Sequence, residues 1–193
     1  GSYLVATFIF WPFLWTDPFT NFFESYTRMA HFRWDGWILM NRGYVHSLNL
    51  PAGYFPVWFG VTVPVLWLLL GVTGLILLLI KIFKRPVDYI ADPIRRNYLI
   101  YLVCFFLPIM LVIVLKSVIY DDWRHLYFVF AAFMMFALFA VYQLMQTRLK
   151  MLVTGLCALQ LGLLSFFMIK NHPFQQVYFN EFMTREPEFI RHN

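Results

Sequence analysis

Ionisable and hydrogen-bonding side chains are concentrated in two short stretches, each next to a long apolar run. The first, YDDWRH at residues 120–125, precedes an apolar run that continues to about Leu144. The second, NHPFQQVYFN at residues 171–180, follows another apolar run. Arginine and histidine can bind a phosphate, and a carboxylate can orient a hydroxyl acceptor. The candidate substrate-binding residues are therefore Asp121, Asp122, Arg124, His125, His172 and Tyr178.

Structural interpretations of the same stretches stay open. Asp121 or Asp122 could be the N-cap of the following helix, where a carboxylate is favoured by the helix dipole. Spacings of three and four residues could also place Asp121 beside Arg124 and His125 in a purely structural cluster. A metal site formed by the two aspartates, His125 and His172 is chemically conceivable, but the spacing is not diagnostic and we predict none. The tail stretch could equally form an amphipathic return along the membrane surface.

The composition identifies the environment in which these stretches lie. Of the 193 residues, 61% are hydrophobic and only 13% are charged, which is far from the mix of a soluble domain. A helix needs roughly 20 residues to cross ~30 Å of hydrocarbon. The apolar runs of sufficient length are residues 55–80, 98–115, 126–145 and 151–169. We interpret the shorter run at residues 3–15 as the end of a truncated span. The prediction is an all-α, polytopic transmembrane helix bundle of about five spans, forming a single domain over residues 1–193.

The placement of lysine and arginine predicts the orientation. Two short connections, residues 81–96 and 147–150, contain seven of the 15 basic residues: Lys81, Lys84, Arg85, Arg95, Arg96, Arg148 and Lys150. By the positive-inside rule these connections are cytoplasmic. The loops at residues 16–54 and 116–125 and the tail at residues 170–193 then face outward. We expect a bacterial inner-membrane protein with a periplasmic C-terminus.

An amphipathic helix is predicted in the first outward loop. Asp17 is a plausible N-cap and Pro18 suits the first helical position. The apolar positions recur at helical spacing: Phe19, Phe22, Phe23, Tyr26, Met29 and Ala30. We interpret this segment as an interfacial packing or anchoring helix, with guiding or covering a lipid-linked substrate as the alternative.

Tryptophans and prolines give weaker signals. Six tryptophans fall near the outward interface by this topology, where an aromatic belt accounts for most of them: Trp11, Trp15, Trp34, Trp37, Trp58 and Trp123. Pro56, Pro64 and Pro108 lie within predicted spans and predict kinks unless neighbours compensate.

Several chemistries lack sequence support. The chain has no phosphate-cradling glycine loop, nucleophile elbow or paired-cysteine motif. Cys104 and Cys157 lie inside predicted spans, where they act as small apolar residues. Gln160 is the one strongly polar residue in the middle of a span, and we attribute it to an interhelical hydrogen bond.

Four phrases taken in order resemble a known family. They are WPFLWTDP, LPAGYFPVW, YDDWRHLYFVF and NHPFQQVYFN. Together they resemble the C-terminal membrane half of multi-spanning glycosyltransferases of the C-type superfamily, in the branch related to dolichyl-phosphate-mannose protein mannosyltransferases. The resemblance implies a polyprenyl-phosphate-linked sugar as donor substrate, an acceptor on the outward side, and an inverting transfer in which a carboxylate activates the acceptor.

The resemblance does not supply a catalytic residue. In this family the catalytic acid lies in an outward loop of an N-terminal group of helices, and no position here matches it. We therefore expect a fragment of a longer chain that does not catalyse alone. The alternative is a non-catalytic membrane subunit within a larger complex, and a transporter ranks last because no internal repeat is visible. Expected partners are membrane lipids, the lipid-linked donor and other membrane protein chains, with no nucleic acid and no further cofactor.

Overall fold

The computed structural model describes residues 2–30, 34–40, 43–119, 122–174, 178–181 and 183. Within them the chain is mostly helical, with one pair of short strands, which confirms the predicted fold class. The chain divides into two compact units, residues 1–35 and 36–193.

Where the structure describes the first unit, it contains two α-helices joined by a short turn. Helix α1 (Ser2–Phe10) is followed by a 3-10 turn (Pro12–Leu14) and by α2 (Pro18–Ala30). The Asp17 carboxylate accepts a hydrogen bond from the Thr20 backbone N–H at 3.2 Å, so the predicted N-cap is confirmed. Phe19, Phe23 and Tyr26 expose their rings, as an interfacial helix requires.

The second unit begins with a β-hairpin that was not predicted from the sequence. Strands β1 (Trp37–Met40) and β2 (Gly43–His46) pair antiparallel, with Ile38 opposite Val45. A 3-10 turn (Ser47–Asn49) follows. The hairpin lies inside the segment that composition alone assigned to a loop.

In the described residues, six α-helices form most of the rest of the second unit. They are α3 (Tyr54–Thr62), α4 (Val65–Lys84), α5 (Pro86–Ala91), α6 (Pro93–Val114), α7 (Tyr127–Met145) and α8 (Lys150–Lys170). A 3-10 turn (Arg124–Leu126) precedes α7. Helices α4, α6, α7 with its preceding turn, and α8 are long and apolar enough to cross a membrane. The protein is therefore an integral membrane protein.

One predicted span is wrong in its first half. The apolar run at residues 55–80 is not one helix, because α3 ends at Thr62 and α4 begins at Val65. Pro64 has no N–H to donate and forces the preceding residue out of the helical region, so Val63 is extended at φ −80° and ψ 131°. Pro56 lies in the first turn of α3, where a proline is tolerated, and Pro108 lies within α6.

Helices α4 and α7 make the closest contact of the core. A Cβ atom built at Gly74 would overlap the Phe136 carbonyl oxygen, and one at Gly71 would overlap the Phe133 ring. Ala137 and Ala140 of α7 are fully buried in the same region. Small residues thus let the two helix backbones approach closely. The ring of Phe105 in α6 also packs on the rings of Phe133 and Phe136.

The helices of the second unit have two distinct ends. At one end, Lys81 of α4 is bonded to Gln143 of α7, and Tyr98 of α6 packs on Phe139. We call this the basic end. At the other end, Trp123 is bonded to Thr62. The segments that the sequence assigned to one side therefore meet at one end, while the side of the membrane that each end faces stays a prediction.

Candidate functional site

The break between α3 and α4 exposes backbone groups that the helices no longer satisfy. In an unbroken helix the Gly60 carbonyl would accept from residue 64, but Pro64 has no N–H. The Asn180 side-chain Nδ2 donates to the carbonyl oxygens of Gly60 at 2.6 Å and Val63 at 2.8 Å. The Asn180 backbone N–H donates to the Val61 carbonyl at 2.8 Å. A fully buried tail residue therefore completes the backbone at the break.

Glu181 caps the other side of the same break. Its Oε2 accepts from the Val65 N–H at 3.2 Å, at the start of α4. Its Oε1 accepts from Gln160 Nε2 at 3.0 Å. The expected interhelical partner of Gln160 was therefore wrong, because the bond goes to a tail carboxylate. Burial raises the pKa of Glu181, but the hydrogen bonds from Gln160 and from the backbone N–H groups of Glu181 and Val65 outweigh it and hold that pKa below its usual value.

Trp123 fixes the turn before α7 against α3. Its indole N–H donates to Thr62 Oγ1 at 2.7 Å, and the Thr62 hydroxyl in turn donates to the Trp58 carbonyl at 2.7 Å. The indole also packs edge-on against Phe59, with 5.0 Å between ring centroids. Trp58 and Trp123 are both buried, so the aromatic belt does not account for these two tryptophans.

Asp122 precedes this turn in an unusual conformation. Its φ is 64°, in the left-handed region that asparagine, aspartate and glycine tolerate best. The N-cap interpretation is wrong for Asp122, because the cap positions of the turn and of α7 are Trp123 and Leu126, and neither side chain caps. Asp122 Oδ2 instead accepts from the Tyr127 hydroxyl at 3.5 Å. Asp121, and with it the proposed pairing to Arg124 and His125, lies outside the described residues.

A cavity of about 410 Å³ lies beside the break, and we call it the helix-break cavity. Its polar lining consists of Thr62, Asp122, Trp123, Tyr127 and Tyr178. Its apolar lining consists of Val63, Pro64, Phe130, Leu164 and Met168. The lining thus includes both groups that can exchange hydrogen bonds and groups that can pack against hydrocarbon.

Tyr178 is the tail residue that lines this cavity. Its ring packs edge-on against Phe167, with 5.1 Å between ring centroids. Burial, with a smaller contribution from the Glu181 charge, raises the pKa of Tyr178 to about 12. The phenol therefore stays protonated at physiological pH and can donate a hydrogen bond into the cavity.

The cavity unites only part of the predicted site. Asp122 and Tyr178 line it together although they are far apart in sequence. Arg124, His125 and His172 are exposed and are not among its lining residues. Thr62 and Tyr127 were not predicted as site residues, because they lie inside apolar runs. Trp123 was predicted to belong to the aromatic belt. The one sequence feature that could have indicated a role for Trp123 in the site is its position among charged residues.

The described residues show no metal-binding cluster. In the ranges given above, no three His, Cys, Asp or Glu side chains lie close enough to share an ion. Of the four side chains that could have formed a metal site, Asp121 lies outside those ranges.

No family model, curated protein or solved structure matches this chain. Inference about its function therefore depends on the chemistry of its own side chains.

Proposed function

We propose that this chain is the C-terminal membrane part of a glycosyltransferase that moves a sugar from a polyprenyl-phosphate donor to an acceptor. In this proposal it lies in a bacterial inner membrane, with the helix-break cavity at the periplasmic end. The observation that carries the proposal is the mixed lining of this cavity, which combines a carboxylate and hydroxyls with aliphatic and aromatic carbon. A polyprenyl-phosphate sugar likewise combines a polar head with an apolar isoprenoid chain.

The size of the cavity suits one sugar-phosphate head. About 410 Å³ lies within the roughly 300–1,000 Å³ typical of small-molecule sites, which are mostly apolar with a few placed polar groups. The Asp122 carboxylate can accept hydrogen bonds from sugar hydroxyls, and the Tyr178 hydroxyl can donate to a sugar or phosphate oxygen. The Tyr127 hydroxyl, which donates its proton to Asp122, can accept a hydrogen bond from a sugar hydroxyl. Leu164 and Met168 can contact the first isoprene units.

The exposed basic side chains beside the cavity have a separate role in this proposal. Arg124 and His125 directly follow the cavity residues Asp122 and Trp123 and are open to the surroundings. From this position they can attract a phosphate to the cavity mouth without lining it. The catalytic carboxylate of the transfer is not assigned to any residue of this chain.

The test is photo-crosslinking of the full 193-residue chain in nanodiscs. The probes are polyprenyl-phosphate mannose, polyprenyl-phosphate glucose and bare polyprenyl phosphate, each with a diazirine in the first isoprene unit. We expect crosslinks at Leu164 and Met168. Asp122→Asn should lower binding of at least one sugar-bearing probe by roughly tenfold, since it removes hydrogen bonds to a charged group, and should not weaken binding of bare phosphate.

Matched tyrosine variants control for general damage. Tyr178→Phe should weaken binding, whereas Tyr101→Phe, which removes a hydroxyl from α6 away from the cavity, should not. Crosslinks that map elsewhere, or equal binding by Asp122→Asn and the unmodified chain, would reject the proposal.

A non-catalytic subunit is the second candidate. Only 6% of the α6 span and 11% of the α8 span is buried within the chain, which leaves most of their apolar surface for lipid or for other helices. A stable stoichiometric assembly with another membrane protein, combined with no binding of any probe, would favour this function.

A further inference from the structure

A second cavity lies at the basic end, where α4, α5, α6 and α7 meet. It has a volume of about 600 Å³, and four cations line it: Lys81, Lys84, Arg85 and Arg95. No carboxylate is among its lining residues in the described part of the chain. The polar lining is completed by three tyrosines and Gln143.

The acids near this cavity do not neutralise it. Asp88 and Asp92 both bind Arg95, with Asp88 Oδ2 at 3.0 Å from Nη1 and Asp92 Oδ2 at 3.4 Å from Nε. Asp88 reaches Arg85 only at 4.0 Å. Lys84 makes no ion pair among the described residues. The four basic side chains and the two carboxylates, Asp88 and Asp92, together leave a net positive charge of about two on this part of the protein.

The donors in the cavity are held in place. Lys81 Nζ donates to Gln143 Oε1 at 2.7 Å and lies 5.2 Å from the centroid of the Phe139 ring. This fixes the ammonium while leaving two of its N–H groups for a ligand. The Tyr89 side chain is buried, and burial raises its pKa, so its hydroxyl stays protonated. Positioned ammonium, guanidinium and hydroxyl donors match the oxygens of a phosphate.

We propose that this cavity binds a phosphate group, and that in the membrane this group is the phosphodiester of an anionic lipid. The cavity lies at the ends of three spanning helices, the depth at which lipid headgroups are found. Ile94, which lines the cavity, is exposed, as are Val87 and Ile90 of α5, the helix that contributes Tyr89 to the lining. The helices that form the cavity therefore also carry apolar surface for acyl chains. The site is at the opposite end from the helix-break cavity and does not depend on the proposed transfer.

The test measures lipid binding to the full chain by native mass spectrometry from a neutral detergent. Phosphatidylglycerol is the probe, phosphatidylcholine the neutral comparison, and inorganic phosphate and pyrophosphate the soluble competitors. The double variant Lys84→Gln/Arg85→Gln should bind phosphatidylglycerol at least about tenfold more weakly. The matched control Arg148→Gln/Lys150→Gln removes the same charge at the same end but outside the cavity, and should change binding less than about twofold.

Each outcome decides the proposal. Loss confined to the cavity variant supports it, and failure of the soluble competitors to displace the lipid identifies the lipid as the source. Displacement by millimolar phosphate or pyrophosphate, with the same dependence on the variant, keeps the phosphate chemistry but assigns a soluble ligand. Equal loss in both double variants, or equal binding of the two lipids, overturns the proposal. If the cavity variant loses its cooperative thermal transition, Arg85→Gln is compared with Arg148→Gln, because Arg85 makes only the 4.0 Å contact.

Discussion

Asn180 replaces hydrogen bonds that Pro64 removes from the backbone. Replacing it with alanine deletes the bonds to the Gly60 and Val63 carbonyls and leaves these acceptors buried. We expect Asn180→Ala to lower the free energy of unfolding by about 1–3 kcal/mol, measured by denaturation in mixed micelles. Asn171→Ala removes one bond at the more accessible end of α8 and should cost less. Equal losses would show that Asn180 does not hold the break.

Glu181 should make the stability of this region depend on acid. Its pKa is lower in the folded protein than in the unfolded chain, so its contribution is present above the ordinary value of 4.5. The contribution is lost as the pH falls through the folded pKa. The effect should be small because the residue is exposed overall. Thermal midpoints from pH 3 to pH 7 should fall more steeply for the native chain than for Glu181→Gln, and parallel curves would contradict this.

The sequence identified chemically active stretches but not their partners. Asp122, Tyr178 and Asn180 all lie in the two stretches singled out by composition. That Asp122 and Tyr178 share a cavity depends on how distant segments pack, which spacing along the chain does not encode. The role of Asn180 becomes visible only after the break at Pro64 is located, because its ligands are backbone carbonyls with no sequence signature.

The contact between α4 and α7 is sensitive to a single methyl group. Alanine is favoured over glycine in a helix by about 1 kcal/mol, but at Gly74 its Cβ would overlap a backbone carbonyl that cannot rotate away. We expect Gly74→Ala to destabilise the fold by roughly 1–3 kcal/mol, since overpacking forces the helices apart. Gly155→Ala and Gly162→Ala in α8 meet nothing within 4 Å and should be neutral or stabilising. Matching unfolding curves for the three variants would disprove this packing.

Hydropathy located the helices better than it located their ends. Three predicted spans correspond to α6, α7 and α8. A continuous run of about 20 apolar residues has the length of a helix that crosses the hydrocarbon core, so these spans are visible in the sequence. The same measure joined α3 to α4, since both are apolar and hydropathy carries no information on backbone hydrogen bonding. Three prolines were marked within spans, but only Pro64 separates two helices, and sequence alone did not distinguish it from Pro56 and Pro108.

The arrangement of the whole second unit can be tested by labelling from either side of the membrane. With Cys104 and Cys157 replaced by alanine, single cysteines are introduced as Arg96→Cys, Arg148→Cys, Lys116→Cys and Lys170→Cys. The first two should react from one side only and the last two from the other, because they lie at opposite ends of spanning helices. The positive-inside rule predicts that the first pair is cytoplasmic. Reaction of Arg96→Cys and Arg148→Cys from different sides would contradict the topology.

The helix break is synthesised long before the residues that complete it. Its carbonyls at residues 60 and 63 precede Asn180 by 120 and 117 positions, so every later span leaves the ribosome first. Until then water must satisfy them, since bare carbonyls are costly in hydrocarbon. A nascent chain interrupted just after α8 would carry the four spanning helices found in the described residues and still have an open break. Chains that stop just before and just after Asn180 would thus differ by a handful of residues in whether these carbonyls are covered.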